Sequence, residues 1–268
     1  MKVVLFCGGL GLRMREESAR LPKPMIPLGD RPILWHIMKY YSEFGFRDFV
    51  LALGYKHEVI KEYFLNYNEA LSNDFVLTEG GKRVELLGSD THDWSMTFVN
   101  TGLHSTIGER LKQVEPHLDG DEIFLATYGD GLTDAPLRDA IDKLVESGKI
   151  ALFLCVHPTT QFHVVSLDDG NGVREIQDVA AANLWINGGY FVFRREIFDY
   201  LSPGEDLVSD AFNRLIAEDK IVAYPYEGFW APMDTLKDKQ NLESLLESGD
   251  PPWSRPRGLD VSDAAPSG

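Results

Sequence analysis

The alternation of apolar runs and polar breaks divides the first 60 residues into a βαβα pattern. An apolar run over residues 2–7 reads as a strand and ends in a glycine-rich loop. Pro22, Pro24, Pro27 and Pro32 then exclude a regular helix through 21–32. ILWHIMKYYSEFG (33–45) has the periodicity of an amphipathic helix and stops at Gly45. DFVLALG (48–54) reads as a second strand, and a helix follows over 56–67. This order predicts a parallel sheet with right-handed crossovers.

Beyond residue 70 the period changes. Residues 75–99 read as a β-hairpin arm with Gly80-Gly81 in its turn. The pattern then predicts a helix at 106–117, a strand at 122–131, a helix at 135–147 and a central apolar strand at 150–156. Two short strands flank Gly170–Gly172, a strand at 184–198 enters a helix, and a helix at 206–218, a strand at 222–227 and a helix at 234–248 complete the series. The expected architecture is α/β: a Rossmann-like, mostly parallel mixed sheet flanked by helices. It forms one domain over 1–250, followed by a flexible Pro/Ser/Gly/Asp-rich tail at 251–268.

Composition narrows the function. The 268 residues carry a net charge of −16, which argues against a nucleic-acid or anionic-membrane partner, since either needs a basic face. Two cysteines with no CxxC imply neither a disulfide framework nor a zinc site and point to a reducing cytoplasm. No leader peptide is expected at Met1-Lys2, and no segment reaches the about 18 apolar residues of a membrane span.

Four features carry chemistry. In LFCGGLGLR (5–13), three glycines follow the first strand, and Arg13 follows the glycines. Exposed backbone N–H groups with an arginine make an anion site; a tight turn with a solvated arginine is the alternative. The spacing is neither GxGxxG nor GxxxxGK[ST], so the common dinucleotide and P-loop readings do not apply. Lys23, between Pro22 and Pro24, can reach the same anion or can be a surface lysine. Asp130 in YGDG and Asp234 in PMDT can hold a magnesium ion that also takes phosphate oxygens. Their alternatives are a turn aspartate and a helix N-cap.

Taken in order, GGLGxR, KPM, ILWHIM, GYK, IKEYF, RLK, YGDG, WINGG, FW and MDT resemble the nucleotidyltransferases that make nucleotide sugars. Within that family they resemble the glucose-1-phosphate cytidylyltransferases, over roughly residues 1–250. The resemblance implies that Gly8, Gly9 and Gly11 wrap a nucleotide, that Arg13 and Lys23 hold its triphosphate, and that Ser105, Arg110 and Gly129 contribute to nucleotide binding. It also implies Asp130 and Asp234 as Mg2+ ligands, with transfer from an NTP to a phosphorylated sugar-like acceptor and release of pyrophosphate. CTP is the implied nucleotide, with UTP or dTTP as alternatives, and the implied state is a homo-oligomer. Its candidate contacts are the 75–99 arm and helix 33–45.

The sequence departs from the family pattern at three places. Leu12 stands where the family loop has threonine; TTQFHVV (159–165) lacks the family's Arg-Phe-Gly; and no Glu-Lys-Pro precedes WINGG. The last of these normally supplies a lysine for the acceptor phosphate, and there is no lysine between Lys149 and Lys220. Either Arg174, His163 or Arg194 replaces it, or the acceptor is bound differently; a solvated strand arginine, a core or edge histidine and a helix-start arginine are the respective alternatives. Asn187 and Gly188 are the candidate contacts to acceptor hydroxyls. Two further readings remain: a nucleotide-binding regulatory subunit without transfer activity, and a glycosyltransferase, against which the spacing of DGLTD (130–134) and the GGLGxR loop argue.

Overall fold

In a computed structural model, which describes residues 1–9, 21–159 and 162–259, apolar β1 (Val3–Cys7) is the middle of the fold. Its residues alternate between two cores. Val3, Leu5 and Cys7 join one, and Val4 and Phe6 the other, as the two-residue period of a strand buried on both faces requires. The chain then makes a small ribbon, β2 (Pro27–Leu28) with β3 (Arg31–Pro32), and enters α1 (Ile33–Glu43). It continues through β4 (Asp48–Leu53), α2 (His57–Leu65) and the short α3 (Glu69–Ser72). The hairpin β5 (Phe75–Thr78)–β6 (Arg83–Leu86) follows, then β7 (Ser95–Asn100) and α4 (Ile107–Val114).

The second half holds β8 (Ile123–Tyr128), β9 (Gly131–Thr133), α5 (Leu137–Ser147) and β10 (Ala151–Val156). A second hairpin, β11 (His163–Leu167) with β12 (Val173–Asp178), precedes β13 (Ile186–Arg194). The chain ends through α6 (Phe212–Ala217), β14 (Ile221–Tyr226), β15 (Trp230–Pro232) and α7 (Leu236–Glu247).

Seven strands form the central sheet in the order β14-β10-β13-β8-β1-β4-β7. All pairings are parallel except those of β13, which runs antiparallel to both β10 and β8. Helices α1, α2, α5 and α7 cover one face; α4, α6 and the 3-10 turn Arg195–Tyr200 cover the other. The expected mostly parallel mixed sheet is therefore present. No helix among the described residues is long and apolar enough to cross a membrane.

Four expectations are revised. WSMTFVN does not belong to the arm: β7 joins the sheet as its edge strand, parallel to β4, so the arm is the β5–β6 hairpin. The strand expected over 122–131 stops at Tyr128, turns at Gly129-Asp130, and resumes as β9, which leaves the sheet to pair with β15. Helix α1 is core, with Ile33, Leu34, Ile37, Met38, Tyr40 and Tyr41 all buried, so it offers little surface to a partner. The tail is held through residue 259. Trp253 is buried, and its Nε1 donates to His36 Nδ1 at 3.3 Å. That bond leaves His36 Nε2–H to donate to Leu28 O at 3.0 Å.

His36 is therefore neutral when folded. Burial, with a further contribution from Arg31, pushes its pKa down to about 4. A depressed histidine pKa gives stability that is complete above the unfolded value near 6.5 and lost as pH falls toward the folded value, here about 3 kcal/mol. Denaturant titrations at pH 7 and pH 4.5 are expected to show that fall, and His36→Gln is expected to flatten most of it.

Candidate functional site

The carboxyl ends of β1, β4, β7 and β8 meet along one edge of the sheet, the edge where open α/β folds bind ligands. Arg110, from α4, lies beneath them and is 3% exposed. Its guanidinium donates to Gly8 O at 3.1 Å, Leu53 O at 3.2 Å, Thr101 Oγ1 at 2.6 Å and Gly102 O at 2.8 Å. It thus ties together the ends of three strands. A Cβ on Gly8 would lie 2.1 Å from Arg110 Cζ, and one on Gly54 would lie 2.8 Å from Gly8 Cα. Gly8 is glycine to admit this guanidinium, and Arg110 sits under the loop with its donors on backbone oxygens. Gly9, by contrast, has nothing within 4 Å of its Cβ position. Gly11 and Arg13 lie outside the described residues.

The Ser105 hydroxyl donates to Thr101 O, in the same loop that Arg110 holds. Gly129 lets the 3-10 turn Lys23–Met25 cross the end of β8: a Cβ there would stand 3.0 Å from Pro24 Cγ and 3.2 Å from Phe6 O. This crossing delivers Lys23. Its Nζ donates to Asp130 Oδ2 at 2.7 Å and also to Asp234 Oδ1. The Lys23 side chain is 11% exposed, against 34% and 32% for the two aspartates. Burial alone would lower the lysine's pKa, but Asp130 and Asp234 outweigh it and leave the pKa raised, so the ammonium stays charged.

Asp234 is not the helix N-cap. Thr235 caps α7, its hydroxyl accepting from Asp238 N at 3.2 Å, which leaves the Asp234 carboxylate to face Lys23. Met233 N donates to Asp130 O at 2.7 Å and joins the two acidic segments. Two part-exposed carboxylates converging on one cation are a donor set for a hard divalent ion. No cluster of three or more His, Cys, Asp or Glu suited to a metal occurs among the described residues, so such an ion would complete its shell with water and substrate oxygens.

Beside the pair opens a cleft of about 310 Å³. Asn187 and Gly188 line it, together with Tyr128, Tyr190 and Trp230. Asn187 Oδ1 accepts from Gly189 N at 2.8 Å, and Trp230 Nε1 donates to Gly188 O at 2.8 Å. A Cβ on Gly189, whose φ is +78°, would meet Tyr128 Cδ2 at 2.5 Å. The replacement cations are elsewhere. Arg174 is exposed on β12 beside the Gly170–Gly172 turn, and His163 is exposed on β11. Arg194 pairs with Ile123 at the opposite end of the sheet. None of these three lines the cleft. Burial, then the Asp130 charge, pushes the Cys7 thiol up, as befits a core residue rather than a nucleophile. The sequence reading assigned no role to the aromatic walls Tyr128 and Trp230, although the FW and YGDG stretches contained them.

The carboxyl edge of the sheet, with a lysine held between two part-exposed carboxylates, is the ligand edge of an α/β fold. The nucleotidyl transferase family model matches residues 2–243. The chain belongs to this family and is a nucleotidyltransferase. A glucose-1-phosphate cytidylyltransferase of Salmonella typhi is 40% identical over 255 residues, covering 94% of this chain and 98% of that protein. A D-glycero-alpha-D-manno-heptose 1-phosphate guanylyltransferase of Campylobacter jejuni is 31% identical, over 79% of this chain and 84% of its own length. The same fold is seen in a UTP-bound UGPase from Acinetobacter baumannii, with a TM-score of 0.68, 20% identity, and coverage of 94% of this chain and 95% of that one.

Gly8→Ala is expected to destabilise the protein by about 1–3 kcal/mol through overpacking against Arg110, while Gly9→Ala leaves stability within about 0.5 kcal/mol. Thermal or urea unfolding of the two variants reads the difference.

Proposed function

We propose that the protein transfers a cytidylyl group from CTP to a sugar 1-phosphate. A phosphate oxygen of the acceptor attacks the α-phosphorus in line, one P–O bond forms, the α–β bridging bond breaks, and pyrophosphate leaves. The observation that carries this reading is the Lys23 ammonium between Asp130 and Asp234 at the ligand edge of the sheet. Asp130 and Asp234 would hold Mg2+, which when bound would supply neutralisation of the charge on the triphosphate. Lys23 would then turn toward the phosphates. Loop residues Gly8, Gly9 and Gly11 with Arg13 would cradle the nucleotide, Ser105 and Gly129 would bound its site, and Arg110 would hold the loop in shape. Such transfer needs positioning and charge neutralisation rather than a covalent enzyme intermediate. The 40% identity to a cytidylyltransferase favours CTP over UTP and dTTP.

On the acceptor side, Asn187 and the Gly188 backbone would meet sugar hydroxyls beside Trp230. None of the described residues lining the cleft is a lysine, arginine or histidine. Together with the missing Glu-Lys-Pro segment before WINGG, this departure from the family pattern supports an acceptor other than unmodified glucose 1-phosphate. The exposed apolar residues Phe75, Val76, Leu77, Val84 and Leu86 of the β5–β6 hairpin support a homo-oligomer, since a lone two-stranded hairpin is marginal in water. Light scattering of Leu77→Glu is expected to give a smaller particle than the parent chain; an unchanged mass removes the hairpin as the contact.

Pyrophosphate release is measured with Mg2+, each of CTP, UTP, dTTP, ATP and GTP, and a panel of sugar 1-phosphates. Turnover is expected with CTP, and Asp130→Asn is expected to lower it by about 10²-fold or more. Calorimetric binding of CTP without release for any acceptor would instead support the regulatory reading. Efficient use of glucose 1-phosphate would overturn the acceptor assignment alone.

A further inference from the structure

The carboxylate pair does not stand on the main sheet. Asp130 and Asp234 flank one end of the β9–β15 ribbon, whose register is Gly131 opposite Pro232, Leu132 opposite Ala231 and Thr133 opposite Trp230. A ribbon of three residue pairs is weak by itself, so its geometry depends on what closes it. At the Asp130 end the closure is the Met233 N to Asp130 O hydrogen bond. At the other end it is Asp134.

Asp134 is 5% exposed. Its N donates to Phe229 O at 3.2 Å, and its Oδ1 accepts from Phe229 N at 2.8 Å and from the Tyr226 hydroxyl. Gly228 makes room for that hydroxyl, because a Cβ there would lie 2.1 Å from Tyr226 Oη. The second carboxylate oxygen accepts from Arg257 Nε at 2.9 Å, and Arg257 N donates to Asp134 O at 2.9 Å. Arg257 belongs to the segment after α7, which Trp253 anchors on His36 and against the Phe229 ring. A buried carboxylate needs a neutralising partner. Without Arg257, Asp134 loses the hydrogen bond and the counter-charge on Oδ2 that fix its carboxylate plane, and its hold on Phe229 N and the far end of the ribbon loosens.

We propose that Asp134 and Arg257 are positioning residues for the Asp130–Asp234 pair. The C-terminal segment is a strap that sets the spacing of the two carboxylates from the opposite end of the ribbon. This rests on the assignment of that pair as the cation-holding group of the transfer site.

The test uses the full chain with Arg257→Gln and Arg257→Lys. Arg257 has a 64% exposed side chain, so both variants are expected to fold with a melting temperature close to that of the parent. Hydrogen exchange of the Met233 amide, measured without nucleotide or metal, is expected to accelerate about tenfold in Arg257→Gln, with amides of β1 and β8 unchanged. In turnover, kcat is expected to fall about tenfold and the KM for CTP to stay within about twofold, the split of a residue that acts on the reacting geometry rather than on nucleotide binding. Calorimetry with Mn2+ alone is expected to show metal affinity weakened about fivefold. Arg257→Lys is expected to recover part of each effect, because it restores the charge opposite Asp134. Unchanged Met233 exchange, or exchange that rises equally in β1 and β8 with a lowered melting temperature, overturns the proposal. If Asp130→Asn leaves Mn2+ binding intact, the assignment of the carboxylate pair fails, and Met233 exchange still decides whether the strap sets the ribbon.

Discussion

One ammonium group, Lys23 Nζ, stands between two carboxylates that reach it from 107 and 211 residues away along the chain. Two carboxylates this close repel each other. The lysine offsets that repulsion and binds together three segments that share no secondary structure: the proline-bounded turn after the glycine loop, the turn after β8, and the start of α7. Much of the remaining architecture serves to bring these three to one point. Gly129 admits the crossing of Pro24, the Met233–Asp130 hydrogen bond joins the acidic segments, and Thr235 takes the cap of α7 so that Asp234 does not.

A second cation does comparable work without a carboxylate. Arg110 spends its donors on carbonyls and one hydroxyl at the ends of β1, β4 and β7. Those loop ends would otherwise carry backbone oxygens turned away from water, and unpaired buried carbonyls are costly. The strand ends at Gly8, Leu53 and Thr101–Gly102 are therefore held from below, and Gly9 is open from above. Backing of this kind is what a transfer reaction based on positioning needs.

The strap adds a constraint from the end of the chain. Through Trp253 it makes the neutrality of His36 part of the packing, and through Arg257 it reaches the ribbon that carries the acidic pair. Stability and site geometry are thus coupled through the same nine-residue stretch, 251–259, which composition alone marks as loose.

The sequence by itself determined the layered α/β architecture, because the apolar runs at 3–7, 49–53 and 151–156 and the amphipathic stretches between them admit few other arrangements. It also singled out Lys23, Asp130, Asp234 and Asn187, because glycines and prolines punctuate the chain around the first three and glycines follow the last. Spacing could not decide which strands belong to the sheet. WSMTFVN has the same alternation as an arm strand, and its place beside β4 depends on an edge that exists only once the sheet has formed. Nor could spacing tell Gly8 from Gly9, since the guanidinium that separates their roles comes from a helix 100 residues later. Arg174 and Arg194 looked interchangeable as phosphate ligands until the hairpin and the antiparallel β13 carried them away from the cleft. The tail looked disordered because its anchors, His36 and Asp134, are remote in sequence. Local periodicity sets the elements; which side chains meet is a property of their packing, and the tertiary structure alone decided it.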